Sequence, residues 1–557
     1  MDSQTESPEE PGGLSRRHAL GLLGTAGAGA VAVPMLGAGT AEAATPIGAP
    51  AFSLTPDAAG APPVQGLHLT FGADPSSQMV VSWITDGAVD KPQVHYGTLK
   101  DGFGSSAAAQ TRSYVDGKSG RTVFVHHAAL NRLRPATDYV YLVSHRGTTP
   151  DSGNFRTAPR GRAPLTFTSF GDQATPEVTW TATGPVGLDA NSTPASKDIV
   201  AGIEQVAPLF HLLNGDLCYA NLDVDRVRTW NNFFTNNTRS ARFRPWMPAA
   251  GNHEIESANG PIGLGAYQAY FSLPSTETDA ELAGLYYAFT AGSVRVIVLQ
   301  NDDNCLQDGG DIYISGYSGG RQLSFLEREL KAARASREID WIVVAMHQVM
   351  ISSSDANGAD LGLRQKYGPL FDRYGVDLVL CGHDHDYERS WPVRGCNHHV
   401  GRDATTGAAV DTCQPQPVVT TEPTEGRFDT SHGTIHLILG GGGTSAPLDA
   451  YGINPRNGLP QAKVITKANR PVPGPTAGVF VKPAADAVED AIWSARRDTA
   501  TGYGVAVFDL DPGVPNGKTS ITMRYYHAVG ADRTPTSDYE IFDTLVLAKE
   551  RRDTKTR

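Results

Sequence analysis

Five short stretches of this chain carry residue types that ligate metals. They are Gly171-Asp172, Gly215-Asp216-Leu217-Cys218-Tyr219, Gly251-Asn252-His253-Glu254, His347, and Gly382-His383-Asp384-His385. The expected donors are carboxylate, phenolate, amide and imidazole, with no thiolate. Alone, Gly-Asp is a common turn and His-x-His an ordinary surface pair. All five in succession, each just beyond an apolar run, point to a metal site. Asp172, Asp216, Tyr219, Asn252, His347, His383 and His385 make seven donors, too many for one zinc ion. They suit a pair of hard or borderline cations about 3.5–4 Å apart, which would have to share a carboxylate.

The elements that must hold these residues are legible around them. "LTFTSF", "APLFHLLN", "VRVIVLQ", "DWIVVAM", "VDLVLC" and "TIHLILG" are continuous apolar runs, as expected of strands covered on both faces. Helical patterns alternate with them: "KDIVAGIEQVAPL", "RQLSFLERELKAARA" with Leu323, Leu326 and Leu330 on one face, and "RQKYGPLFDRYG". Residues 162–550 therefore read as an α/β domain, closed by the short strands "YGVAVFDL", "TSITMRYYHAV" and "FDTLVLAK". In open α/β sheets, ligands collect beyond the carboxyl ends of the strands, where the five stretches lie. Residues 60–160 read as all-β, with short alternating runs such as "MVVSW" and "TDYVYLVSHRG". "LNRLRPATDYVYLV" resembles the end of a fibronectin type III-like sandwich. His126 and His127 in that region read as ordinary strand residues.

A length of 557 residues implies two or three domains. Hydrophobic content of 40% and charged content of 19% fit a folded chain. The net charge of −12 argues against a nucleic-acid-binding face but leaves small anionic substrates open. Residues 1–44 contain Arg16-Arg17, a Gly/Ala-rich apolar stretch and Ala41-x-Ala43, the pattern of a twin-arginine export signal. A secreted, periplasmic or cell-wall-associated protein is expected. No later segment approaches ~18 uninterrupted apolar residues, so no membrane span is expected. Cys218 and Cys381 read as buried thiols. Cys396 and Cys413 flank a loop that an exported protein could close with a disulfide.

The order GD, GDxxY, GNHE, H, GHxH resembles the metallophosphoesterases and, within them, the purple acid phosphatases; the Tyr of GDxxY is its most specific part. The resemblance covers residues from about 162 onward, and the preceding sandwich matches the family's usual N-terminal domain. It implies an α/β/β/α metallophosphoesterase fold and a dinuclear centre of Fe(III) with Fe, Zn or Mn. Asp172, Tyr219 and His385 would hold the ferric iron. Asn252, His347 and His383 would hold the divalent metal, with Asp216 bridging. Two apart on an extended chain, His383 and His385 can face the same way and each serve one metal. Asp384 would point elsewhere; Asp386, Glu388 and Arg389 would be supporting residues. The implied activity is hydrolysis of small phosphomonoesters by a metal-bound hydroxide, with His253 contacting the phosphoryl oxygen or protonating the leaving group and Glu254 orienting a neighbour. A phosphodiesterase of the same architecture is the alternative; a non-catalytic surface binding protein would be expected to have lost a ligand. Plant-type members carry further histidines soon after the one that His347 matches, and "HQVMISSSDANGADLG" has none after His347. Asp355 or Asp360 could substitute. "LGGGGTS", Leu439 to Ser445, lacks the Gly-Lys-Ser/Thr ending of a phosphate loop, so close backbone packing beside the site is expected.

Overall fold

The computed structural model describes residues 60–307, 310–354, 356–423, 426–445, 452–468, 472–473, 480–481, 486–529 and 535–553. The export signal lies outside the described residues, as does Asp355.

Two four-stranded sheets form the N-terminal part, from Gln65–Phe71 to Asp151–Arg156. Strand alternation is clear in Asp138–Ser144, where Tyr139, Tyr141 and Val143 are buried between more exposed neighbours. His126 and His127 are buried strand residues: His127 pairs with Ser82 at 2.8 Å and with the Ala269 carbonyl at 3.0 Å.

Two seven-stranded sheets follow. The first runs Trp246–Ala249, Phe210–Asn214, Leu165–Phe170, Gly504–Asp511, Lys518–Val529, Pro535–Glu550 and Arg427–Phe428. The second runs Tyr287–Ala291, Val294–Val298, Trp341–Ala345, Leu378–Cys381, Ile435–Leu439, Tyr387–Ser390 and Ser494–Asp498. In each sheet the strands nearest the candidate ligands are parallel, so their carboxyl ends lie at one edge. The sheets pack face to face. Phe210 meets Phe289 edge-on at 5.4 Å and Tyr387 stacks on Tyr525 at 4.1 Å. Truncating such a buried ring to Ala costs about 3–5 kcal/mol. The helices Ala195–Val206, Arg226–Ala241, Arg321–Ala335 and Leu361–Tyr374 cover the outer faces, and Leu326 and Leu330 are fully buried. This is the α/β/β/α sandwich behind a β-sandwich that the sequence implies.

The two parts interlock. Tyr141 Oη donates to the Arg242 carbonyl at 2.7 Å, and Arg112 donates to the Gln268 and Phe271 carbonyls at 2.9 and 3.0 Å. Among the described residues, no helix is long and apolar enough to cross a membrane.

Candidate metal centre

The five stretches converge beyond the parallel strand ends. Asp172 follows Leu165–Phe170, Asp216 follows Phe210–Asn214, Asn252 follows Trp246–Ala249, His347 follows Trp341–Ala345, and His383 follows Leu378–Cys381. Two donor groups form there. Asp172, Asp216 and His385 offer ligand atoms within 4.8 Å of one another, as do Asp216, His347 and His383, so Asp216 belongs to both. Tyr219 Oη joins the first group, 3.3 Å from Asp172 Oδ1 and 3.0 Å from His385 Nε2. Asn252 Oδ1 joins the second, 3.0 Å from His347 Nε2.

The backbone is bent to achieve this. Asp172, Asp216, Tyr219 and His383 have φ of 60°, 51°, 59° and 71°, the left-handed region that L-residues avoid at a cost of about 1–2 kcal/mol each. His383 and His385 therefore reach their places from a kinked turn rather than from extended chain. Gly382 is needed because a Cβ there would sit 2.2 Å from Asp172 Oδ2.

Hydrogen bonds decide which atoms face inward. Asp172 Oδ2 accepts from the His383 amide at 2.8 Å and Asp216 Oδ1 from the His253 amide at 2.9 Å, leaving Asp172 Oδ1 and Asp216 Oδ2 for the centre. His347 Nδ1 donates to the Asn214 carbonyl at 2.8 Å, which leaves the Nε2 lone pair inward. Gln307 Nε2 donates to the Gly358 carbonyl at 2.8 Å, so its Oε1 must accept, and His383 Nε2 is the donor at 2.8 Å. The inward atom of His383 is then Nδ1, 3.2 Å from His347 Nε2. With the rings neutral, Asp216 Oδ2, His347 Nε2, His383 Nδ1 and Asn252 Oδ1 thus converge as lone pairs, among which a positive charge, proton or cation, must lie. A cation satisfies such a cluster, and the oxygen and nitrogen set fits iron, zinc or manganese.

The charge balance agrees. Burial alone would lower His347, but Asp216 and Asp172 carry it up to about 10. Burial favours protonated Asp216, yet His347, His253 and His383 outweigh it and hold the carboxyl below its ordinary range. The pocket thus demands positive charge. Burial, reinforced by Asp216, pushes Glu254 up to about 8. Its carboxylate accepts from the Asp216, Leu217 and Gly251 amides at 2.9, 2.8 and 2.7 Å, tying two of the loops together.

His253 is a quarter exposed, its Nε2 4.0 Å from Asp216 Oδ2. Its Nδ1 donates to Asn221 Oδ1 at 2.9 Å, and Asn221 Nδ2 donates to Asp311 at 3.3 Å. Asp384 is turned away, accepting from the Asn357 amide at 3.0 Å. Glu388 accepts from Ser352 Oγ at 2.7 Å, and Arg389 pairs with Asp543 at 2.7 Å. Asp386 is buried. Asp360 is excluded as a substitute acid: it is buried, caps the helix Leu361–Tyr374 and accepts from the Leu306 and Gln307 amides at 2.7 and 3.0 Å. Each glycine of the run after Leu439 abuts backbone; a Cβ on Gly440 would lie 2.1 Å from the Asp384 carbonyl oxygen. Gln307 and Asn221 stand in no recognisable spacing, so the sequence alone does not single them out.

Residues 64–157 match the purple acid phosphatase N-terminal domain, and residues 192–387 match the calcineurin-like phosphoesterases. An uncharacterized protein of Mycobacterium tuberculosis is 50% identical over 99% of this chain and 100% of its own length. The Fe(3+)-Zn(2+) purple acid phosphatase 12 of Arabidopsis thaliana is 27% identical over 60% of this chain and 67% of its own. A purple acid phosphatase from yellow lupin seeds superposes with a TM-score of 0.60 at 21% identity, covering 88% of this chain and 76% of that one.

Proposed function

This chain belongs to the purple acid phosphatase family of metallophosphoesterases, and from that membership we propose that it is an exported phosphomonoesterase. The observation that carries the proposal is the pair of donor groups sharing Asp216. Asp172, Tyr219 and His385 would hold Fe(III); Asn252, His347 and His383 would hold Fe, Zn or Mn. Bound there, two cations would neutralise phosphoryl oxygens and lower the pKa of water. The chain's own residues supply the rest. Asn221 fixes the His253 ring so that Nε2, the titratable atom, faces the centre. Protonated there, Nε2 would donate to the phosphoryl or leaving oxygen as the bond breaks. Glu254 keeps the Asp216 and Gly251 loops in register.

A monoester carries more charge than a diester and gains more from a dicationic site. The test compares kcat/KM for p-nitrophenyl phosphate and bis-p-nitrophenyl phosphate across pH, with metal assayed on the same preparation. Monoester preference is expected; diester preference at every pH would promote the phosphodiesterase reading. For the ferric site, Tyr219→Phe should bleach a visible charge-transfer band, and a metal-replete wild type without that band would count against iron. Export rests on Arg16-Arg17; continued secretion of the Arg16→Lys, Arg17→Lys variant would refute the twin-arginine route.

A further inference from the structure

Away from the centre, two short pairs of residues face each other across a hairpin. Cys396-Asn397-His398 leaves the strand Val393–Asn397, and Asp411-Thr412-Cys413 enters the strand Gln414–Pro417, its antiparallel partner. The spacing is Cys-x-His on one side and Asp-x-Cys on the other, so each pair can present both side chains on one face. In the structure Cys396 and Cys413 form a disulfide with their Cα atoms 4.7 Å apart. Around it, Cys396, His398 and Asp411 offer ligand atoms within 4.8 Å of one another. His398 Nδ1 lies 2.8 Å from Asp411 Oδ2, and Cys396 Sγ lies beside the ring, 3.7 Å from Nδ1 and 3.5 Å from Nε2. Asp411 Oδ1 accepts from the Cys413 amide at 2.8 Å, which fixes the carboxylate. A carboxylate that accepts from one ring nitrogen, and so leaves the lone pair on the other, is the usual support of a zinc-bound histidine.

We propose that this hairpin is a second, sulfur-containing metal site: when Cys396 and Cys413 are thiols, their two sulfurs and His398 Nε2 hold one zinc ion, with Asp411 orienting His398 and solvent at the fourth position. A disulfide and a zinc ion are then alternative closures of one loop. Every chain starts with both cysteines reduced, and His398 is 60% exposed, so the metal has access. The chemistry balances. A phosphine or dithiol delivers two electrons to the disulfide, which takes up two protons to give two thiols. Zinc binding releases those two protons and leaves two thiolates on the ion; oxidation reverses the sequence and expels the metal. Side-chain rotation need only part the sulfurs to the roughly 3.8 Å that two ~2.3 Å Zn–S bonds require at a tetrahedral angle.

Cobalt(II) distinguishes this site from the catalytic centre, whose candidate ligands include no sulfur. The full-length protein, metal-loaded at its centre and reduced with a phosphine, is titrated with Co(II) while the thiolate-to-cobalt charge-transfer band is followed. The expected result is one equivalent bound with that band, bleached by zinc, absent from the oxidised protein and from Cys396→Ser and Cys413→Ser. His398→Ala should abolish the band, and Asp411→Asn should weaken binding about 10–100-fold. p-Nitrophenyl phosphate hydrolysis by each variant reports that it is folded. A reduced wild type that hydrolyses normally but shows no band would overturn the proposal. So would a band that survives in both cysteine variants, since it would then arise from the buried Cys218, Cys305 or Cys381.

Discussion

Gln307 shows how a residue that touches no substrate can decide what a metal ligand is able to do. Its amide is oriented by the Gly358 carbonyl, and its backbone amide is held by Asp360. Because Oε1 can only accept, His383 must carry its proton on Nε2 and turn Nδ1 inward. Gln307→Leu frees the ring to flip or change tautomer. It is expected to lower metal affinity at the Asn252, His347 and His383 group about 10–100-fold while the Asp172, Tyr219 and His385 group keeps its metal. Metal content after dialysis against graded chelator measures this, and equal retention by variant and wild type would refute it. Asp216→Asn is expected to act differently, because it removes the negative charge common to both groups. Both metals and most phosphatase activity should go. The seven candidate ligands are legible because each follows an apolar run in a short motif. Gln307 and Asn221 are not, because loops deliver them from positions with no pattern. The left-handed turn at His383 was equally hidden, since spacing alone says nothing about φ.

Among the elements, those whose burial is written as an uninterrupted apolar run were the readable ones. Trp341–Ala345 and Leu378–Cys381 are buried at every position. The helix Arg226–Ala241 gave no such signal, because "RVRTWNNFFTNNTRSA" is rich in Asn and Thr, which favour helices poorly. It is held from outside by burial of Trp230, Phe233 and Phe234 and by Asp225, whose side chain caps the Arg228 amide. The glycine run after Leu439 breaches the phosphate-loop pattern and so points to close backbone packing, which is what the structure shows. A Cβ on Gly441 would lie 1.6 Å from the Gly502 carbonyl oxygen, and one on Gly443 would lie 1.9 Å from that of Gln173. Neither contact can be relieved by turning a side chain. Gly441→Ala is therefore expected to cost at least about 1–3 kcal/mol and to loosen the turn that carries Asp172. Chemical denaturation with metal retention measured alongside tests this; wild-type values for both would show that the backbone yields at no cost.

The whole molecule carries two sets of buried titratable groups whose effects on acid stability oppose each other. Burial lowers His68 and His126 to about 4 and His211 and His436 to about 3. The unfolded chain would protonate these rings near pH 6.5, whereas the fold does so only below those values. Between those limits the unfolded state binds more protons, so stability falls as pH falls, by up to about 1.4 kcal/mol per unit per histidine. Carboxyls run the other way. Burial raises Glu256 to about 7 and Asp360 and Asp384 to about 6. From those values down to about 4 the fold holds protons that the unfolded chain has released, so stability rises as pH falls. The two sets overlap between about pH 6.5 and 4, where four histidines outweigh three carboxyls, so the carboxyls blunt the loss of stability without cancelling it and the thermal midpoint should fall. Below about 4 the carboxyls are protonated in both states, while His211 and His436 still oppose the fold, and stability should drop. Removing one set exposes the other. Glu256→Gln leaves an amide oxygen to accept from Trp230 Nε1, now bonded at 2.8 Å, yet should make the midpoint fall more steeply than in the wild type on going from pH 6.5 to 5. The double variant His211→Gln, His436→Gln should make it rise over the same interval. Parallel curves for all three proteins would mean that neither set governs acid stability.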